Sequence, residues 1–360
     1  TFLLLSHRSV TAPVVASSIV GQASFVSSGQ VDMTTNLGNN DEFQINLRNI
    51  PAPQTGESYY GWLLPDKSQS EAAPILLGKA SVDRGTLHLF YSGDSAHTNL
   101  LDMTSRFLIT EESASTTPVI PSPDLSRWRY YAEIPQTPAA GQTYSLLDHL
   151  RHLLSNDPTL EAAHLQGGLN IWAYRNTQSI MDWAGSANDA WNKKDFTSVH
   201  RQVVSILDYL DGTKLVQEDV PSGTPIFADP QIAQVGLLEI KRNQDPPGYI
   251  YHIDLHLNGV LTSPGATQYQ RNLAIQINAG INNVDGWLVQ IHHDAIQLAR
   301  MNDTQLALPS SLALLKDMAT QANNAYKGHI DSSTGHQQIG VTQVFRLVQQ
   351  LASFEVKPYK

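Results

Sequence analysis

The sequence contains no cysteine. That absence excludes disulfide staples, thiolate zinc sites and cysteine nucleophiles together. Charge is sparse as well: 16% of residues are Asp, Glu, Lys or Arg, and acids outnumber bases 33 to 23. The net charge of −10, with no local run of Lys and Arg, argues against nucleic acid as the main partner. Phosphate binding needs a basic patch. No segment approaches the ~20 consecutive apolar residues of a membrane span. There is no glycine-rich phosphate loop, no His-Glu-x-x-His and no Gly-x-Ser-x-Gly elbow.

What is present is an ordinary globular composition, 360 residues with 41% apolar side chains. That length exceeds what one hydrophobic core usually serves, so two or three domains are expected. Phe2 to Leu5 form a short apolar run, followed by His7, Arg8 and a Ser/Thr/Ala/Val-rich stretch to Ser28. Residues 1–19 read as a linker or the stub of a membrane helix; a plain first strand is the alternative.

Residues 20–138 read as strands and turns. Phe43, Ile45 and Leu47 alternate with polar neighbours, as in a half-buried strand. Tyr59–Leu64, Ile75–Val82, Thr86–Tyr91, Arg106–Thr110 and Arg127–Ile134 supply further runs. Asp83-Arg84-Gly85 is a hairpin turn between two of them. Antiparallel strands at this short spacing predict a small Ig-like β-sandwich. Tyr59 and Trp62, three apart on one strand, should face opposite sides.

Beyond Gly141 the period changes to three and four, and residues 140–360 read as an all-α bundle. Leu165, Leu169, Trp172, Asn176, Ile180, Trp183 and Ala187 mark one long amphipathic helix. Leu273, Ile277, Ile281, Val284, Leu288, Ile291, Ala295 and Leu298 mark another. Shorter helices follow each, one stopped by Gly212 and one by Gly328. Val344, Leu347, Val348 and Leu351 form a last helix before Pro358. Sliding the chain by 104 residues superposes the two long stripes and matches His152 with His256, Gln166 with Gln270 and Trp183 with Trp287. Tandem repeats over 144–240 and 248–355 are one explanation. The shared periodicity of any two amphipathic helices is the other. The fold class expected is therefore α+β, a β-sandwich followed by a helical bundle.

An ordered set of motifs runs through the β region. Leu47-Arg48-Asn49-Ile50-Pro51 leads to Gly56-Glu57-Ser58-Tyr59-Tyr60-Gly61-Trp62-Leu63. Leu77-Gly78, Val82-Asp83-Arg84-Gly85, Phe107-Leu108-Ile109-Thr110-Glu111-Glu112 and the stretch from Pro118 to Pro123 follow. In order and approximate spacing, residues ~20–135 resemble the extracytoplasmic domain of the anti-sigma-K factor family. Tyr60-Gly61 departs from the pattern, and the helical half lies outside it. The resemblance implies the outer, non-catalytic sensor region of a membrane-anchored transcription regulator. It implies a sigma factor as partner only through a cytosolic module that this chain does not contain, and an anchor through a preceding helix. No enzyme activity is expected.

The chemistry-bearing candidates are few. Gly93-Asp94-Ser95 with His97 resembles the opening of some lipase-like hydrolases, but Ser-Gly-Asp-Ser is also ordinary turn chemistry. Thirteen histidines include several pairs. His252 and His256, four apart, would share one helix face and could chelate a metal. His149 and His152 occupy the corresponding helix of the first repeat, and His292-His293-Asp294 lies on the second long helix. Glu161 and Glu239 are the glutamates in reach by sequence, and no Glu-x-x-His supports them. Surface and helix-end histidines are the competing explanation. Asn176, Asn278, Asn282 and Asn283 could satisfy one another across the bundle. Trp172, Trp183, Trp191 and Trp287 could line a pocket, though core packing is the commoner use. An exported metal- or small-molecule-binding protein, with His252 and His256 as first ligands, is the alternative to the regulator.

Overall fold

The alternation at residues 42–48 is a strand, and its apolar side faces a core closed on all sides. A computed structural model describes residues 18–69 and 71–360. The apolar run at Phe2–Leu5, and nearly all of the expected linker at 1–19, lie outside the described residues. Among the described residues, seven strands precede the helical region: β1 (Gly21–Val26), β2 (Glu42–Arg48), β3 (Glu57–Pro65), β4 (Ile75–Asp83), β5 (Thr86–Tyr91), β6 (Thr104–Ser113) and β7 (Trp128–Glu133). A one-turn helix, α1 (Leu100–Met103), leads into β6 and is N-capped by Asn99.

The expected β-sandwich is wrong. The strands form a closed antiparallel barrel in the order β1-β10-β7-β6-β3-β4-β5-β2. Its eighth strand, β10 (Ser353–Pro358), comes from the far end of the chain. The seven N-terminal strands alone leave β1 and β7 as edges with unpaired backbone groups. β10 pairs with both, Gly21 opposite Val356 on one side and Lys357 opposite Tyr131 on the other. This closure distinguishes a barrel from two packed sheets. The β unit therefore extends beyond residues 20–138, and the helical segment is an excursion between β7 and β10.

Alternate residues fill the barrel. Phe25, Phe43, Phe107 and Phe354 converge from four strands, with ring centroids 5.0 to 6.4 Å apart. Tyr59 and Leu63 join this interior, while Tyr60, Trp62 and Leu64 form a separate outer cluster with Leu108, flanked by Trp128 and Tyr131. Tyr59 and Trp62 thus face opposite sides, as their spacing requires. Inward-facing Gly61 leaves room for Leu89, whose Cδ2 would lie 2.8 Å from an added Cβ.

The helical segment comprises α2 (Leu146–Leu154), α3 (Pro158–Ala162), α4 (Leu169–Asn192), α5 (Phe196–Asp211), α6 (Tyr249–Thr262), α7 (Gln268–Ala299), α8 (Asp303–Leu306), α9 (Pro309–Lys327) and α10 (Val341–Gln349), with a small ribbon of β8 (His329–Ile330) and β9 (Gln337–Gln338) before α10. The expected stops hold locally: Gly212 ends α5 and Gly328 ends α9, both at positive φ. α4, α5, α7 and α9 pack as a four-helix bundle in which each long helix touches both shorter ones. α2 and α6 pack together beside it. α2 matches α6 and α4 matches α7 at the offset read from the sequence, and α5 and α9 recur in order with α8 inserted before α9.

One continuous apolar core joins barrel and bundle. Arg151 of α2 fixes the junction, with a bidentate grip on Asp66 at 2.6 and 2.9 Å and a bond from Nε to the Leu101 carbonyl. Burial pushes the Asp66 carboxyl up, but the Arg151 bonds and charge outweigh it and hold it below its ordinary value.

Candidate metal centre

Four histidines meet where α2 crosses α6. The Ser145–Asp148 capping box sets the start of α2 and with it the phase of His149 and His152. His252 and His256, four apart on α6, point to the same side. His152 Nδ1 lies 3.3 Å from His256 Nε2, and His252 Nε2 lies 3.2 Å from the same atom. The offset that matches His152 with His256 in sequence thus brings the two rings to 4.7 Å between centroids.

A carboxylate completes the group, and it is neither of the glutamates expected. Asp157 N-caps α3 just ahead of Pro158: Oδ1 accepts from the N–H groups of Thr159 and Leu160. Its other oxygen, Oδ2, lies 3.7 Å from His152 Nδ1, 3.7 Å from His252 Nε2 and 3.8 Å from His256 Nε2. Glu161 is exposed. Glu239 accepts from the N–H groups of Gln244 and Gly248 instead. The Asp-Pro helix start at 157–158 was the sequence signal that could have found Asp157.

These spacings suit a small ion. Bonds of ~2.1 Å to a tetrahedral zinc give ligand–ligand edges of about 3.4 Å. His152, Asp157 and His256 meet that requirement as a buried trio, and His252 reaches two of the three. Aspartate and imidazole are ordinary zinc donors, so the absence of cysteine is no obstacle.

Burial prepares the histidines to ligate. It pushes His256 down to about 2 and His149 down to about 4, reinforced by neighbouring imidazoles. His152 and His252 are lowered by burial too, against the upward pull of Asp157. All four are therefore neutral near pH 7, the form that binds metal. His149 stands behind the trio, its Nδ1 2.9 Å from Nδ1 of His256. With His256 donating Nδ1–H to His149, the Nε2 lone pair of His256 is fixed toward Asp157. Gly259 makes this possible, since a Cβ there would fall 2.1 Å from the His149 ring. Tyr144 covers the group edge-on, 4.8 Å from His152, and is 39% exposed.

The remaining sequence candidates separate. The turn at Ser95 is built by Asp94, which accepts from the N–H groups of Ala96 and Thr98. His97 instead meets Asp41 at 2.9 Å and Ser28 at 3.5 Å through one and the same nitrogen, Nδ1. A serine–histidine–carboxylate relay needs both ring nitrogens. The asparagines do not satisfy one another: among the described residues the buried Asn176 amide has no partner, and Asn278 reaches Asn258 at 3.4 Å. Of the tryptophans, Trp172 donates to the Gln166 carbonyl, Trp191 to that of Leu306, and Trp183 packs edge-on to Tyr209.

No family model, curated protein or solved structure matches this chain. The resemblance to anti-sigma-K factors therefore rests on the motif residues alone.

Proposed function

We propose that this protein binds a divalent transition-metal ion of the zinc type through His152, Asp157, His252 and His256. The observation that carries this reading is the buried trio of His152, Asp157 and His256, whose ligand atoms lie 3.3 to 3.8 Å apart, with His252 Nε2 3.2 Å from His256 Nε2 and 3.7 Å from Asp157 Oδ2. Two helices from the two halves of the helical segment supply the histidines, so an ion there ties α2 to α6. The donor set, nitrogen with one oxygen, favours zinc, copper or iron over magnesium and calcium. Such a role is compatible with the sensor function that the anti-sigma-K resemblance implies, with the ion as the signal.

Cobalt(II) tests the proposal, because its visible absorption is intense in tetrahedral sites and weak in octahedral ones. Chelator-stripped protein titrated with cobalt should develop an intense band that zinc abolishes. His152→Ala and His256→Ala should each remove it. A wild-type protein without the band, or a variant that keeps it unchanged, refutes the assignment.

A further inference from the structure

A second group of ligand-type side chains lies away from the histidine cluster. His292 is on α7, Asp211 is the last residue of α5, and Asp219 lies on the loop that follows α5. His292 Nε2 is 2.9 Å from Asp211 Oδ1 and 3.2 Å from Asp219 Oδ2. The single Nε2–H hydrogen-bonds Asp219. Asp211 is 1% exposed, and among the described residues neither of its oxygens accepts a well-directed hydrogen bond; the His292 Nε2 at 2.9 Å aims its proton at Asp219 instead. A buried carboxylate without a donor is costly and calls for an explanation.

The charges around it do not balance. Asp208, one turn earlier on α5, is fully buried, and among the described residues only its Oδ2 is bonded, by the N–H groups of Phe227 and Ala228. Two carboxylates thus face one imidazole, and Asp208 adds a third negative charge beside Asp211. The cationic side chains nearby are weak compensation. Arg300 stands 3.9 Å from Asp219 and is largely exposed; Lys214, Lys241 and Arg242 line a cavity with Asp211, but Lys241 is paired with Glu218. Burial pushes the Asp211 carboxyl up to about 6, against the pull of His292.

We propose that Asp211, Asp219 and His292 form a second, oxygen-rich metal site for a divalent cation of the manganese type. Cis ligands at ~2.1 to 2.2 Å from an octahedral ion are about 3.0 Å apart, which is the separation the imidazole nitrogen keeps from both carboxylates. The ion takes the place of the Nε2 proton, gives Asp211 its missing partner and offsets the acidic excess. Water fills the rest of the shell, as is usual for hard cations. Access exists from two sides: Asp211 lines a cavity of about 250 Å³ and His292 lines another of about 420 Å³. The wall of the larger one carries Glu239, Asp254 and Asp285, which draw cations in.

This site is independent of the histidine cluster and is tested without it. Manganese(II) is titrated into chelator-stripped protein carrying His152→Ala and His256→Ala, and free manganese is counted by its electron paramagnetic resonance signal. About one bound equivalent is expected. Asp211→Asn in the same background should weaken it by about 10-fold or more. Asp219→Asn gives the same readout where Asp211→Asn does not fold, and wild-type protein replaces the background if the double variant does not fold. No manganese binding, or equal binding by the Asn variants, overturns the proposal and leaves a plain buried charge pair.

Discussion

The burial of His149 makes the metal-free protein acid-sensitive in a way that can be isolated. Its ring titrates at about 4 in the folded chain against an ordinary 6.5. Below 6.5 the unfolded chain takes up a proton that the folded chain refuses until about 4. The unfolded state then holds more protons, so stability falls as the pH drops through that window. Between about pH 7 and about pH 4.5 the loss from this residue alone is about 2 kcal/mol. His256, lowered further, works in the same direction. Asp211 and Asp294 work against it, because burial raises both carboxyls to about 6 and the folded chain takes their protons first. The total slope therefore mixes signs, and the informative quantity is a difference. Urea unfolding of chelator-stripped wild type and His149→Gln at the two pH values gives it. The variant should lose about 2 kcal/mol less than wild type on acidification. Equal losses in the two proteins, or a larger loss in His149→Gln, would refute the account of a neutral, desolvated imidazole.

Two further outcomes follow from packing. Gly259→Ala drives a methyl group into the His149 ring and displaces the residue that orients His256. Zinc affinity, measured by competition with a coloured chelator, should fall about 10- to 100-fold while the helical circular dichroism stays unchanged. Phe354→Ala removes the one aromatic ring that β10 adds to the barrel interior. Urea unfolding should show a loss of about 3–5 kcal/mol; a loss below about 1 kcal/mol would mean that β10 does not seal the barrel.

Much of the helical half was legible because its signals are local. The apolar stripes gave the long helices, and Gly212 and Gly328 marked the ends of the helices that follow them. The spacing of His252 and His256 put both rings on one face, and the offset that paired His152 with His256 anticipated the contact between them. Asp157 does not show in the helical spacing, because its carboxylate comes from a helix cap and not from a face of the bundle. The alternation of Phe354 and Val356 with polar neighbours was a readable strand, yet it follows a helix and ends in Pro358, and so was passed over.

The sequence by itself determined which residues form strands and helices, because side-chain periodicity is a property of a few neighbouring residues. It also determined the chemistry available, imidazole and carboxylate without thiolate. Only the tertiary structure decided that the sheet closes. A sandwich and a barrel share the same alternation and differ in whether Gly21 finds Val356 across nearly the whole chain. Tertiary structure likewise decided which histidines meet, that Asp157 faces them and that Asp211 is buried against His292. Burial depends on what packs on top, and pKa values follow burial, so neither the neutrality of the histidines nor the charge deficit beside His292 could be read from the order of residues.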